Sequence, residues 1–516
     1  MKSTFLLAAV CLSLACTRES NLITEQVRTT SGPIAGTHLT EPDLHVFLGI
    51  PYAAPPVGEL RWKAPQAPES WTEVLECKAF GPSPVQGKPV PFMYWTEEFL
   101  IPAEPIGEDC LSLNVWTPAK TREDKLPVLV YIYGGGFRSG GSGCAIYDGA
   151  ATAEKDIVFV SINYRVGIFG FLAHPELSEE TAHGGSGNYA LLDMIAALEW
   201  VRDNIGSFGG DAGNVTIAGQ SAGAFAVNYL TASPLANGLF HKAIAQSGAN
   251  FVSSSLRPAL TMEQAEQLGV AYMEALGATD LAAMRALPAE TLLNTPGGLS
   301  GPLVDGHVLP ASVQEMYRTG KQNDVPVLIG YNKDDLVGAG NMDAEAYKGM
   351  LGERFGALAG DFLNAYPAGS DEEARRSQAE MGRDETFGIQ VYAWAKTQDH
   401  YGTQPVYLYR FNRDLPAGRP EDANGAFHSG EIVYAYDNLH TLNRPWEDAD
   451  REIASVMSGY WANFVRTGNP NGEGLPQWTV YDPDQEMTLV LDHPSAETRF
   501  PDAQKMACWE AYFQSH

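Results

Sequence analysis

Residues 219–223 read GQSAG and could hold a nucleophilic serine, Ser221. The strand-like residues VTIA precede this segment, and the helix-forming residues AFAVNYL follow it. A serine on a tight strand-to-helix turn has a strained backbone, and small neighbours let the strand and the helix pass close to each other. The five residues alone would also fit an ordinary glycine-rich turn. Their strand and helix context favours a nucleophile at the start of a helix.

A serine nucleophile needs a base and an acid, and chain topology indicates where they lie. In folds that use this turn, an acidic residue and then a histidine follow the serine, each on a loop after a strand. The strand-like VPVLIGYN precedes Asp334 and Asp335, and either carboxylate fits the position of the acid. PVYLYRFN is predicted to be the last strand, and the histidines after it are His428, His440, His493 and His516. His428 is favoured as the base, because it lies in a glycine-containing stretch soon after that strand.

Three consecutive glycines end a second strand-like segment, LVYIYGGGFRSGG at 129–141. Gly135 and Gly136 can present backbone N–H groups to a substrate without a side chain in the way. Together with the N–H of Ala222 they would form an oxyanion hole for a tetrahedral intermediate. A plain turn would explain one glycine more easily than three. Phe137 is interpreted as the start of the pocket wall.

Alternating strand and helix patterns indicate the elements that must position these residues. Between about residues 126 and 250 the alternation favours a doubly wound, mostly parallel sheet with helices on both faces. The polar, Ala- and Glu-rich stretch at about 343–400 is predicted to be an inserted helical lobe. The predicted helix spans 189–205, and the predicted strands span 127–133, 157–164, 215–218, 243–246, 325–331 and 405–411.

The composition is that of a globular, strongly acidic protein. The chain has 34 Lys and Arg residues against 63 Asp and Glu residues, which gives a formal charge of −29. This charge repels phosphate backbones and anionic lipid head groups, so neither a nucleic-acid partner nor electrostatic membrane binding is expected. No CxxC or clustered His/Cys spacing indicates a metal site. The chemistry described above requires neither a metal nor a cofactor.

The N-terminal residues 1–15 are predicted to be a signal peptide. Lys2 is followed by an apolar run at 5–15 that is too short to span a bilayer as a helix. Cys16 follows directly, as in bacterial lipoprotein signals, although Ser13 occupies the position where a leucine is usual. Lipidation of Cys16 and ordinary cleavage both stay open. The chain is therefore predicted to be exported: periplasmic, secreted or lipid-anchored to a bacterial membrane.

The chain also resembles the carboxylesterase type-B family, which includes cholinesterases and bacterial p-nitrobenzyl esterases. The resemblance covers about residues 25–510 and implies one α/β-hydrolase domain with serine esterase activity. Its marks are FLGIPYAAPPVGELRW (47–62), EDCLSLNVWTP (108–118), YGGGF (133–137), NYRVGIFGFL (163–172), FGGDAGNVTIAGQSAGA (208–224), AIAQSG (243–248) and WANFVRTGNPN (461–471).

The resemblance implies roles for several residues. Ser221 matches the nucleophile and His428 the general base. The acid falls on Asp335, where the family usually has Glu, and neighbouring Asp334 remains an alternative. Ser247, in AIAQSG, matches a serine that often lies near the acid; a plain strand-end serine is the other interpretation.

The resemblance also implies features around the pocket. It pairs Cys77 with Cys110 in a disulfide whose loop holds Tyr94 and Trp95. In relatives, aromatic residues on that loop line the active-site gorge, although Trp95 could simply pack beneath the loop. Arg138 could bind an anionic substrate such as a half-ester of a polycarboxylic acid, or it could pair with a nearby acidic residue.

The predicted function is hydrolysis of a small-molecule carboxylic ester through an acyl-enzyme. The same machinery could act on amides, carbamates or thioesters, because substrate specificity lies in loops. A non-catalytic binding protein of the same fold is the remaining alternative. The presence of Ser221, His428 and a carboxylate argues against it.

Overall fold

A computed structural model of the 516-residue chain describes residues 21–93, 95–254, 260–299, 301–335, 338, 340–419 and 423–515. The predicted signal peptide, Cys16 and Tyr94 lie outside these residues, so what was predicted for them stays a prediction. Within the described residues, no helix is both long enough and apolar enough to cross a bilayer.

The strands of the described chain are numbered in chain order. They are β1 Gln26–Arg28, β2 Pro33–Ala35, β3 Thr37–Thr40, β4 Asp43–Pro51, β5 Leu75–Glu76, β6 Ser83–Pro84, β7 Ile106–Gly107, β8 Ser112–Thr117, β9 Leu126–Ile132, β10 Val158–Ile162, β11 Gly210–Gln220, β12 Lys242–Gln246, β13 Val327–Asn332, β14 Val406–Phe411, β15 Met487–Leu491 and β16 Ala496–Arg499.

The α-helices are numbered in the same way. They are α1 Ala150–Ala153, α2 Gly167–Phe171, α3 Pro175–Glu179, α4 Tyr189–Asn204, α5 Ala222–Ala232, α6 Met262–Leu276, α7 Leu281–Arg285, α8 Ala289–Asn294, α9 Val313–Arg318, α10 Ala344–Phe355, α11 Ala359–Ala365, α12 Asp371–Arg383, α13 Ile389–Tyr401, α14 Ile432–Ala435, α15 Asp448–Thr467 and α16 Ala503–Gln514. A short π-helix, Asp384–Gly388, joins α12 to α13.

One large sheet forms the centre of the fold, in the order β3-β4-β8-β10-β9-β11-β12-β13-β14-β15-β16. The seven neighbouring strands β10, β9, β11, β12, β13, β14 and β15 pair in parallel. The strands on either side of this group pair antiparallel. The residues of β10 and β12 are all buried, as expected for parallel strands covered by helices on both faces. The predicted mostly parallel α/β-hydrolase sheet is confirmed.

The central predicted strands and the predicted helix are confirmed to within a few residues. The prediction that 405–411 is the last strand is wrong, because β15 and β16 follow it and extend the sheet. Between 344 and 401 the chain forms α10 to α13, so the stretch predicted to be a lobe is helical. The boundaries predicted for a separate lobe stay a prediction.

The disulfide implied by the resemblance is wrong for this structure: Cys77 and Cys110 are both free. The carbonyl of Cys77 accepts from Leu48 N on β4. Cys110 lies two residues before Ser112, the first residue of β8, and Ser112 pairs with Pro51 of β4. The two cysteines thus lie beside different points along β4, and the pairing of β4 with β8 shifts register between those points. Cys110 instead lines a small internal cavity together with Pro84.

Parallel pairing brings the candidate site residues to one edge of the sheet. The glycines at 134–136 follow β9, Ser221 follows β11, Asp335 follows β13, and His428 lies on the connection that follows β14. Because parallel strands share a direction, their carboxyl ends meet at the same edge, which is where α/β sheets bind ligands.

Candidate active site

Ser221 lies on a sharp turn between β11 and α5. Its φ of 57° and ψ of −124° are strained for a residue with a side chain, as the sequence predicts. The turn also requires small neighbours, because a Cβ on Gly223 would collide with the carbonyl oxygen of Ile132 on β9. The Ser221 amide donates to Gln246 O at 2.9 Å, which ties the turn to the end of β12. The backbone therefore holds the hydroxyl in a fixed position at the sheet edge.

A continuous chain of hydrogen bonds joins Ser221, His428 and Asp335. Ser221 Oγ lies 2.8 Å from His428 Nε2, and His428 Nδ1 lies 2.5 Å from Asp335 Oδ1. His428 is 4 % exposed and Asp335 is completely buried. An ionised carboxylate can only accept, so Nδ1 carries the proton and Nε2 accepts from the serine hydroxyl. In this tautomer the imidazole can take the serine proton.

The structure distinguishes between the two adjacent aspartates. Asp335 Oδ2 accepts from Ser247 Oγ at 2.6 Å and from the Asn332 amide at 2.8 Å, which fixes the carboxylate towards His428. The Asp334 side chain is 31 % exposed and accepts from the Ala426 amide at 2.9 Å. Asp334 therefore anchors the segment just before His428, whereas Asp335 contacts the imidazole itself.

Ser247 makes the contact that the resemblance implied. It is completely buried with a φ of +58°, and its amide donates to Gly330 O on β13. The hydroxyl that donates to Asp335 is thus held by the ends of two neighbouring strands. We infer that Ser247 orients the carboxylate and stabilises its charge.

The glycines after β9 lie beside the serine. A Cβ on Gly134 would lie 3.0 Å from Ser221 Cβ, and one on Gly135 would collide with Ser139 O. Gly135 and Gly136 have φ values of +115° and +64°, which residues with side chains rarely adopt. Within the described residues, no hydrogen bond uses the N–H of either glycine. These donors are therefore available to a substrate oxygen, as the sequence predicts.

Ala222 supplies the third candidate donor. It is the first residue of α5, where N–H groups have no acceptor within the helix. The turn at Ser221 directs this helix N-terminus towards the same edge as the glycines. The N–H groups of Gly135, Gly136 and Ala222 are therefore the candidate oxyanion donors at this edge of the sheet.

A cavity of about 1160 Å³ opens over these groups. Ser221, His428, Gly135 and Gly136 line it, and so do Trp95 and Arg138. The Trp95 indole N–H donates to Ser429 Oγ at 3.2 Å, and its ring lies edge-on to His428 at 6.0 Å. Trp95 therefore lies on the cavity wall next to the imidazole.

The interpretation of Phe137 as pocket wall is wrong. Its side chain is completely buried and packs edge-to-face on Phe171 at 5.3 Å, away from the cavity lining. The positive φ of Phe137 turns the ring into the core, and its carbonyl accepts from the Gly167 amide. The buried ring of Phe137 and the hydrogen bond to its carbonyl therefore hold the loop of glycines 134–136 in place.

Two contacts of His428 were missed by sequence reasoning. The ring of Phe387, in the π-helix, stacks on the imidazole with centroids 4.9 Å apart. Gln220 Nε2 lies 3.4 Å from both imidazole nitrogens, and its Oε1 accepts from Ser429 Oγ. The position of Gln220 next to the serine was a usable signal. Phe387 comes from a helix distant in sequence, and no local pattern marks it.

Glu431 is a third missed residue, three positions after His428. It is completely buried, and its Oε2 accepts from Asn332 Nδ2 at 2.6 Å while its Oε1 accepts from Gln246 Nε2 at 3.2 Å. Burial, together with the nearby carboxylate of Asp335, raises the pKa of Glu431 from 4.5 to about 7. A buried carboxyl that titrates near neutrality therefore lies directly behind the candidate acid.

We expect Glu431 to make the free energy of unfolding fall as the pH rises from 4.5 to about 7. In this window the folded protein keeps a proton that the unfolded chain has already released, so raising the pH favours unfolding. Over the whole window the loss is on the order of 3 kcal/mol. Glu431→Gln should flatten this dependence, measured by urea unfolding at several pH values between 4.5 and 8. The exposed Glu372→Gln is the matched control, and parallel curves for Glu431→Gln and wild type would contradict the assignment.

Known proteins resemble this chain over nearly its whole length. A model of the carboxylesterase family matches residues 23–509. Fumonisin B1 esterase from Sphingopyxis macrogoltabida is 35% identical over 507 residues, covering 93% of this chain and 88% of the relative. Para-nitrobenzyl esterase from Bacillus subtilis is 34% identical, covering 94% and 98%. A solved PNB esterase structure superposes with a TM-score of 0.80 at 32% identity, covering 94% of this chain and 99% of that one.

Proposed function

The chain belongs to the carboxylesterase family, and from this membership we propose that it hydrolyses carboxylic esters through a covalent acyl-enzyme on Ser221. The observation that carries the proposal is the hydrogen-bonded chain from Ser221 through His428 to Asp335 at the floor of a large cavity. The names of its relatives add support, since both the fumonisin B1 and the para-nitrobenzyl enzymes are called esterases.

In the first step, Ser221 Oγ attacks the ester carbonyl carbon while His428 Nε2 takes the hydroxyl proton. Asp335 holds the imidazole in the tautomer that can accept this proton and stabilises the imidazolium that forms. The hydrogen bonds from Ser247 and Asn332 keep the carboxylate in place during the change of charge.

The attack turns the carbonyl oxygen into an oxyanion. The N–H groups of Gly135, Gly136 and Ala222 are proposed to donate to it. Because these amides are part of a loop and a helix start that are already in place, they need no reorganisation as the charge develops. Donors of this kind typically contribute about 10²–10³ in rate each.

The intermediate then collapses. The bond to the leaving alkoxide breaks, and His428 gives its proton to that oxygen, which releases the alcohol and leaves an ester between Ser221 and the acyl group. Water next attacks this acyl-enzyme with His428 as base, and the carboxylic acid leaves as Ser221 regains its proton. The products are one alcohol and one carboxylic acid.

The direct test is turnover of 4-nitrophenyl acetate and butyrate by the purified protein, together with labelling by a fluorophosphonate probe. We expect steady turnover, preceded by a burst of nitrophenol close to the enzyme concentration wherever the acyl-enzyme forms faster than water hydrolyses it. Peptide mass spectrometry should place the probe on Ser221. A matched 4-nitroanilide measures amide cleavage, which is expected to be much slower. Absence of both turnover and labelling would refute the proposal.

A further inference from the structure

The charged groups of the cavity differ from those of the whole chain. About one residue in eight of the chain is acidic, and acidic residues outnumber basic ones by 63 to 34. More than forty described residues line the cavity, and none of them is Asp or Glu. The permanently charged side chains among these lining residues are Arg138 and Lys88, both cations. The part of the cavity lining that the structure describes thus has the opposite charge to the chain as a whole.

The two cations lie on loops that are joined to each other. Gln86 Nε2 donates to Gly140 O at 2.7 Å, and the Gly140 amide donates to Gln86 Oε1 at 2.8 Å. Lys88 comes two residues after Gln86, and Arg138 comes two residues before Gly140. Gln86 is buried, so this paired contact holds the two loops together. Both cations therefore belong to the same side of the cavity.

That side also contains the candidate oxyanion donors. Gly136 is two residues from Arg138, so their Cα atoms are at most about 7 Å apart. The amides of Arg138 and Ser139 both donate to Gly135 O, at 3.0 and 3.1 Å, which fixes the turn on which Arg138 sits. The turn therefore holds Arg138 next to the candidate oxyanion donors along the same loop.

A guanidinium binds a carboxylate through two parallel N–H···O bonds. It has five N–H donors, so Arg138 can keep a contact to its own surroundings and still bind an anion. A lysine ammonium adds a flexible point charge beside it. This pair is unsuited to a cationic ester and offers no advantage to a neutral one.

We propose that the cavity selects esters that carry a free carboxylate, and that Arg138, assisted by Lys88, binds that carboxylate. The inference rests on the proposed ester hydrolysis and narrows its substrate class to half-esters of polycarboxylic acids or esters of hydroxy acids. The large volume of the cavity leaves room for a bulky group on the other side of the ester.

Matched substrate pairs test this specificity. Ethyl hydrogen adipate and ethyl hexanoate place the carboxylate on the acyl side, and 6-acetoxyhexanoate and hexyl acetate place it on the alcohol side. For at least one pair, we expect kcat/KM to favour the carboxylate ester by about tenfold or more at low salt, as a charge-assisted hydrogen bond provides. Increasing ionic strength should reduce this ratio. Preference in one pair supports the proposal and identifies the side, whereas preference in neither overturns it.

Variants then assign the preference to residues. Arg138→Gln should lower the carboxylate-to-neutral ratio of kcat/KM about tenfold, mainly through KM, and Lys88→Gln should lower it less. Arg138→Glu should reverse the preference. Arg376→Gln, on the exposed face of α12, removes the same charge outside the cavity and is expected to leave the ratio at its wild-type value. Equal losses of Arg138→Gln on both esters of a pair would overturn the proposal.

Direct measurement of substrate binding distinguishes an error in the proposed carboxylate site from an error in the proposed ester hydrolysis. Calorimetry with the Ser221→Ala variant should show about tenfold tighter binding of ethyl hydrogen adipate than of ethyl hexanoate, or of 6-acetoxyhexanoate than of hexyl acetate. If the wild type hydrolyses no ester but this difference is found, ester hydrolysis is wrong and the carboxylate site stands. Hydrolysis of esters with equal affinity within both pairs would refute the carboxylate site alone.

Discussion

Ser221→Ala is expected to reduce kcat on every ester substrate by a factor on the order of 10⁶, as in other serine hydrolases. Alanine keeps the Cβ and the backbone of the turn but removes the oxygen that attacks the carbonyl. His428 and Asp335 stay in place, so the residual rate reflects direct attack by water in a prearranged site. Binding of substrate should change little, because the hydroxyl contributes mainly to the transition state.

The measurement is single-turnover and steady-state hydrolysis of 4-nitrophenyl butyrate, with thermal unfolding as a check on folding. Ser253→Ala is the matched control, because it removes a hydroxyl from the lining of the same cavity. Loss of fluorophosphonate labelling should accompany the loss of turnover. If the Ser221→Ala protein kept more than about one-hundredth of the wild-type kcat, another nucleophile would have to be sought.

Asp335→Asn is expected to reduce kcat by about 10⁴-fold with little effect on KM. Ser247 Oγ and the Asn332 amide both donate to Oδ2, so the asparagine oxygen will occupy that position and its NH₂ group will face His428 Nδ1. The imidazole must then accept at Nδ1 and carry its proton on Nε2. In this tautomer it cannot take the proton of Ser221.

Asp334→Asn is the internal control for this prediction, and we expect less than about a tenfold change in kcat. An asparagine oxygen can still accept from the Ala426 amide, so the segment that precedes His428 should keep its position. Both variants are assayed across a range of pH. An equal or larger loss in Asp334→Asn would show that the neighbouring carboxylate is the functional acid.

Local sequence patterns predicted the centre of the fold well. β10 is apolar and rich in branched residues because both of its faces are buried, and that requirement is visible in a few adjacent letters. The strands at the sheet edges were missed, since β16 is mostly exposed and carries no such pattern. Because the strands are parallel, the loops that follow them meet at one edge of the sheet, and this alone predicts that Ser221 and His428 lie close together.

The wrong predictions concern residues whose positions depend on tertiary contacts or on the local backbone conformation. Cys77 and Cys110 were paired on the strength of the resemblance alone, and only the tertiary structure shows that both are free. Phe137 was assigned to the pocket because it follows the glycines, but its positive φ turns the ring into the core. A side chain's direction depends on the backbone, which neighbouring letters do not specify.

The sequence by itself indicated the features that depend on short local patterns, namely the turn at Ser221 and the glycines at 134–136. It also indicated the order of serine, acid and histidine along the chain. Only the tertiary structure decided between Asp334 and Asp335, since these neighbours have the same chemistry and differ in which segment each one contacts. It alone placed Glu431 behind the acid and joined the loops that carry Lys88 and Arg138. Burial and charge pairing are properties of packed surfaces, and those surfaces are assembled from segments that lie far apart in the chain.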